Sequence, residues 1–364
     1  MEAVIEGRID AVLAELGVNA RVPLPASVMP PVNVELAAPP RVLVVSPRDE
    51  IRRERVVLLR PDLTLADAEG IEATTEAEDA SRSALVVGSG GVATYPAVVV
   101  NSGSYAATVE TAAHEWVHHY LAFYPLGIRY FTSDDLRTVN ETVADIVGEE
   151  VAARVIERWG DPTVDASAEP TPTATPSGMP AVDRDAVLRD LRLEVDALLA
   201  AGRVEDAEAR MEAVRLELWE EGVRIRRINQ AYFAWFGTYA ARPDATDPIG
   251  AQLRAVRSGS ASLPDFLGRV RGVGSRGDVA TNRRADPARH AALFARDADP
   301  AITDVRAAGL LEGLEASGRR GSGARRCVHP VDHRALPVVV NHAAAGQLPV
   351  SFLTTTSRSA LTSP

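Results

Sequence analysis

A single cysteine, Cys327, is present, so no disulfide can form within the chain and the fold needs no oxidising compartment. Lysine is absent, and all 39 basic residues are arginine. Aromatic residues make up only 5% of the 364 positions, so a core must be built from Leu, Val, Ile and Ala. No stretch approaches about 18 uninterrupted apolar residues, so no membrane span is expected. The first residues, Met1 to Arg8, mix charged and apolar side chains. They lack the basic start and apolar run of a secretory signal, which makes a cytoplasmic location the expectation.

Positive charge is scarce over most of the chain. Residues 1–275 hold 27 Arg against 42 acidic residues, whereas 276–364 hold 12 against 8. A body this acidic offers no basic face for a phosphate backbone, which excludes nucleic acid as the expected partner. The apolar and charged fractions, 46% and 24%, are those of an ordinary globular protein, and the length suits one to three domains.

The pattern predicts an α+β fold: a mixed α/β N-terminal part, a mainly helical part, and a tail without structure. Residues 2–16 carry apolar side chains at helical spacing and stop at Gly17. The proline-rich stretch Pro23 to Pro40 reads as an extended connection. Short β-branched runs at 41–46, 55–59, 84–88 and 96–101 read as strands, with a helix over 64–80 capped by Thr64 or Asp62. Helices follow over 103–124 and 134–159. Residues 161–182 are rich in Pro and Thr and read as a flexible loop between a part spanning 1–160 and a helical part spanning 183–275. In that helical part, two apolar stripes separated at Gly202 predict an αα-hairpin, and the aromatic segment Ile225–Tyr239 reads as core. Residues 276–364 nearly lose Glu and gain irregular Arg, Gly and Ser clusters, so disorder is expected there.

One segment carries chemistry: His114-Glu115-Trp116-Val117-His118-His119. His114 and His118 are four apart, so on a helix their rings leave one face and can meet one Zn2+ ion. Glu115 points beside that ion, where it can take a proton from water acidified by the metal. These three histidines are the only ones in the first 275 residues. A catalytic zinc needs a third protein ligand, and the next long helix offers Glu141, 23 residues after His118, with Glu149 or Glu150 as substitutes. Asp145 lies one turn beyond Glu141, placed to accept the second N–H of a ligating His. His119 points about 100° away from His118 and is expected to lie outside the ligand set. Trp116, Val117, Tyr120 and Leu121 are expected to pack in the core.

The pairing of His114-Glu115-x-x-His118 with Asn140-Glu141-x-x-Ala144-Asp145 resembles the gluzincin metallopeptidases, over about residues 85–160. That resemblance implies a zincin-like motif helix, one zinc ion on His114, His118 and Glu141, and Glu115 as general base. It also implies Asp145 and Asn140 as orienting residues. The strand around Gly91, Ala93 and Thr94 would then hold an extended peptide. The Gly-x-Met-Glu-Asn signature of one aminopeptidase branch is absent. With no further histidine before the tail, a tyrosine must assist the developing oxyanion, Tyr239 or Tyr232. The expected function is peptide-bond hydrolysis on a peptide or protein substrate, in a cleft between the two parts. The other reading is a zinc-stabilised protein that binds peptide without turnover; a purely structural zinc, however, needs no base and usually has four protein ligands.

Overall fold

The computed structural model describes residues 1–18, 28–101, 103–162 and 182–281. The loop expected at 161–182, its ends apart, and the tail beyond 281 lie outside the described residues. In chain order come α1 (Glu2–Glu15), β1 (Val34–Leu36), β2 (Arg41–Pro47), β3 (Arg55–Leu59), α2 (Leu65–Glu78), β4 (Arg82–Gly88), β5 (Gly91–Val92) and β6 (Ala97–Val99). Next are α3 (Tyr105–Leu121), α4 (Pro125–Ile128), α5 (Asp134–Trp159), α6 (Arg184–Ala200), α7 (Val204–Glu220) and α8 (Gln230–Phe236). The last described helices are α9 (Ile249–Ser258), α10 (Leu263–Val270) and α11 (Arg276–Ala280). The fold is α+β, as its sequence predicts. No helix among the described residues is long and apolar enough to cross a membrane.

The strands form two small sheets, β3-β2-β4 and β1-β6-β5. In the first, all pairings are antiparallel, and β2 is buried along almost its whole length because both of its faces are covered. Val42 and Val44 pack with α6, α7 and α8, while Leu43 and Val45 pack against α2 on the opposite face. The open edge of β4 is closed by side chains. Oε1 of Glu72 accepts from the Val86 N–H at 2.6 Å, and Oε1 of Glu76 accepts from the Ala84 N–H at 2.9 Å. Asn229 and Arg226 donate to the carbonyls of the same two residues, Ala84 and Val86. Four side chains thus stand in for a neighbouring strand, which protects an otherwise exposed edge.

The second sheet joins the helices that carry the chemistry. β1, read from its prolines as mere connection, pairs in parallel with β6, Val34 against Ala97. β1, β6, α1, α3 and α5 share one core, in which Ile5, Trp116, Leu121 and Val147 are fully or almost fully buried.

The helices after residue 182 divide between two cores. α6 to α8 cover the β3-β2-β4 sheet, whereas α9 and α10 return to the core around α3 and α5. The ordered chain also extends past residue 275, where the tail was expected to begin. Ser275 and Asp278 form a reciprocal capping box for α11, and Val279 buries itself in the α3–α5 core.

Candidate metal centre

Two capped helices build the site. Ser104 accepts from the Ala107 N–H at the start of α3, and Ser133 accepts from the Leu136 N–H at the start of α5. The helices approach closely at Gly148, where an added Cβ would lie 3.0 Å from the Glu110 carbonyl oxygen and 3.4 Å from Cβ of His114. That contact sets the middle of α5 against the middle of α3, and the turn of α5 around Glu141 then lies beside the end of α3.

His114, His118 and Glu141 converge as a group that can hold a metal ion. Nε2 of His114 lies 3.0 Å from Nε2 of His118 and 3.2 Å from Oε2 of Glu141. The third side, from Nε2 of His118 to Oε2 of Glu141, measures 3.5 Å. A tetrahedral ion with bonds of about 2.0–2.1 Å requires ligand atoms roughly 3.3 Å apart. The triangle has that size, so the three residues fit a small divalent cation without rearrangement.

The outer ring nitrogens are committed. Nδ1–H of His114 donates to Oδ1 of Asp145 at 3.0 Å, and Nδ1–H of His118 donates to Oδ1 of Asn140 at 2.8 Å. Asn140 in turn donates to the Leu126 carbonyl at 3.3 Å. Both imidazoles therefore turn Nε2, the nitrogen that a metal would bind, toward the shared point, as orienting partners do in metal sites. Asp145 sits where its spacing from Glu141 on α5 predicts, and Asn140 takes the outer nitrogen of the other ring.

Tyr130 adds a contact that no sequence pattern announces. Its hydroxyl donates a short hydrogen bond to Oε1 of Glu141, and its ring stands edge-on to His118 at 5.8 Å. One carboxylate oxygen is thereby occupied, leaving Oε2 to face the imidazoles. Burial and the neighbouring Glu141 charge push the Tyr130 phenol well above its usual range, so it stays a donor.

The charges suit a cation. Burial alone would raise the Glu141 carboxyl, but the two imidazoles outweigh it and hold the group well below the usual carboxylate range. Burial opposes charge on His114, yet its bonds to Asp145 and Glu141 push the ring well above its ordinary value. Glu115, 6% exposed, is raised chiefly by burial. Three carboxylates around two imidazoles leave the nook negative, the potential that draws in a divalent ion.

Glu115 is wedged beside the second sheet. A Cβ on Gly91 would fall 2.5 Å from Oε1 and 2.9 Å from Cγ of Glu115, so glycine is what admits the carboxylate there. β5 is the edge of its sheet. The Val100 N–H bonds the Gly90 carbonyl, and Val92 opposes Val98, so the alternation of an antiparallel pair turns the Gly91 main chain to the open side. Thr94 is different. Its N–H is used by the Val92 carbonyl at 2.8 Å and its carbonyl accepts from Nε2–H of His119 at 2.7 Å. It is thus part of a turn, with Ala93 exposed beside it, rather than a free rung of an edge strand. His119 also meets Tyr95 edge-on at 5.4 Å and ties the motif helix to this turn, outside the ligand set as its angle predicts.

Of the two tyrosines, Tyr239 reaches the site and Tyr232 does not. The Tyr239 ring lies 6.3 Å from that of His114, and burial with the Glu141 charge holds its phenol neutral, well above the usual range. Tyr232 packs against Phe236 at 4.6 Å within the α6–α8 core. Trp116, Val117 and Leu121 are buried as expected.

Set against known protein families, curated proteins and solved structures, the chain matches none.

Proposed function

We propose that this chain is a zinc-dependent metallopeptidase of gluzincin type, with His114, His118 and Glu141 holding one Zn2+ and Glu115 as general base. The observation that carries this reading is the place of Glu115, buried between the metal-compatible triangle and Gly91 on the open edge of β5. Base, ligands and a strand edge able to pair with an extended substrate meet at one point. The ligand group has three members, which matches catalytic zinc; a structural zinc usually closes with four.

Zinc held there supplies Lewis acidity, polarising the scissile carbonyl and lowering the pKa of a water toward about 7. The residues of the chain do the rest. Glu115 takes the proton of the attacking water and returns it to the leaving amine. Tyr130 keeps Glu141 turned to one oxygen, and Asp145 and Asn140 keep both rings in the tautomer that can bind metal. Tyr239, held as a neutral phenol beside His114, donates to the carbonyl oxygen as charge develops on it. The substrate is a peptide or protein whose backbone adds to the edge of β5 at Gly91.

A mixed-peptide digest tests this reading, run beside metal analysis of the wild type and Glu115→Gln. Cleavage by the wild type, with loss of at least about 100-fold in the variant at equal zinc content, is the expected result. A wild type that binds zinc and peptide but cleaves nothing overturns it in favour of a zinc-stabilised binding protein.

A further inference from the structure

In the turn between β2 and β3, most of the charged side chains are paired. Arg48 holds Glu208, Arg52 holds Glu50, and Glu54 is held by Arg82. Arg53 is different: among the described residues it has no carboxylate partner. Its Nε–H donates to the Ala234 carbonyl at 3.2 Å and its Nη2 donates to the Trp235 carbonyl at 3.3 Å, both near the end of α8. Those carbonyls are neutral, so the charge of the guanidinium is not balanced. Nη1 makes no hydrogen bond among the described residues, and a guanidinium has five N–H groups to offer.

This charge lies beside the metal centre. The guanidinium carbon of Arg53 sits 4.5 Å from the centre of the Trp235 ring, Trp235 meets Tyr239 edge-on at 6.3 Å, and Tyr239 lies 6.3 Å from His114. The charge also reaches the phenols of both Tyr239 and Tyr130, and draws each down against the rise that burial and Glu141 impose. Tyr130 in turn bonds Glu141 and stands edge-on to His118. Arg53 is thus on the side of the site that the two tyrosines line. Arg137 brings positive charge to the same side, its guanidinium carbon 5.6 Å from the centre of the Tyr130 ring, but Asp134 already pairs with it. Arg53 is half-buried, held in place by two carbonyls and the face of an indole, and short of an anion. A guanidinium fixed in this way is ready to receive a carboxylate with little further loss of side-chain freedom.

We infer that Arg53 selects substrates carrying a carboxylate near the bond to be cut, supplied by an acidic side chain or by the C-terminus of the peptide. The inference rests on the peptidase reading above and gives its cleft a substrate class.

Fluorescence anisotropy with short labelled peptides tests it, on the zinc-loaded full chain carrying Glu115→Gln so that bound peptide is not cleaved. The peptides carry Glu or Gln at each position in turn, and each is made as the C-terminal acid and as the amide. The first comparison reads side-chain carboxylates and the second reads the chain terminus. At least one carboxylate is expected to bind about tenfold or more tightly than its neutral counterpart. Adding Arg53→Gln should shrink that ratio to about twofold or less while neutral peptides bind as before. Arg53→Lys, which keeps the charge but not the fork, should retain a ratio of about threefold or more. Equal binding of acidic and neutral peptides overturns the inference and leaves the peptidase reading in place. So does a preference that survives Arg53→Gln. A preference lost equally in Arg53→Lys also overturns it, since packing at the end of α8 rather than charge would then be responsible. Failure of every peptide to bind overturns both readings.

Discussion

Nε2 of His114 and Nε2 of His118 face each other across 3.0 Å while both Nδ1–H groups are engaged, by Asp145 and by Asn140. Without a metal, a proton on the raised His114 ring bridges to Glu141; a divalent cation can replace it and engage both Nε2 atoms and Oε2 of Glu141 at once. The folded chain should therefore be stabilised by a divalent metal. At a free metal concentration about 100 times the dissociation constant, the gain is about 2.7 kcal/mol, or roughly 5–10 °C in Tm. Thermal melts before and after chelator dialysis, then after zinc is restored, check this. A Tm indifferent to both steps contradicts it.

Tyr130→Phe removes the donor to Oε1 of Glu141 and leaves a buried carboxylate oxygen unpartnered. Metal affinity should fall about 10–100-fold, the usual consequence of losing an orienting partner. A competition titration with a chromophoric chelator reads the change. Affinity equal to the wild type would show that Glu141 holds its orientation without the phenol.

Gly91→Ala places a methyl group 2.5 Å from Oε1 of Glu115. The carboxylate must move, while the three metal ligands are untouched. Peptide cleavage should drop about 100-fold or more with metal content unchanged, because small displacements of a reacting group cost that much. Cleavage rates and zinc stoichiometry of the same preparation decide it; full activity would mean that Glu115 has room to spare.

Most of this centre was legible because covalent spacing dictates it. Residues four apart on one helix share a face wherever that helix packs, so His114 with His118, and Glu141 with Asp145, could be paired from the chain alone. Tyr130 could not. It lies in the irregular turn between α4 and α5, where no period relates it to Glu141. Tyr232 and Tyr239 illustrate the same limit. On an unbroken helix, residues seven apart share a face, but α8 ends at Phe236, so the chain turns and sends Tyr232 into the α6–α8 core and Tyr239 to the side of His114. An amphipathic stripe likewise says that a helix is buried, not against what, so the division of α6–α8 from α9–α10 was hidden in the sequence. Thr94 was read as an edge-strand rung because strand ends depend on pairing, and β5 stops at Val92.

Acid should weaken the fold through Glu208. Burial alone would raise its carboxyl, but hydrogen bonds from Arg48 and Gln230 overcome that and hold it below the usual range. The unfolded chain therefore takes up this proton more readily than the folded one. Its contribution is whole at neutral pH and fades as pH falls below about 4–5. In urea unfolding, Glu208→Gln should be less stable than the wild type at pH 7, with the gap narrowing toward pH 3. A gap that widens in acid would reverse the assignment.

Zinc K-edge X-ray absorption on the purified full-length chain bears most directly on the proposed centre. One zinc per chain, in a shell of two imidazole nitrogens and oxygen ligands at about 2.0–2.2 Å, lost together in His118→Ala, is the predicted result. A sulfur ligand, or a zinc signal unchanged in that variant, would contradict it.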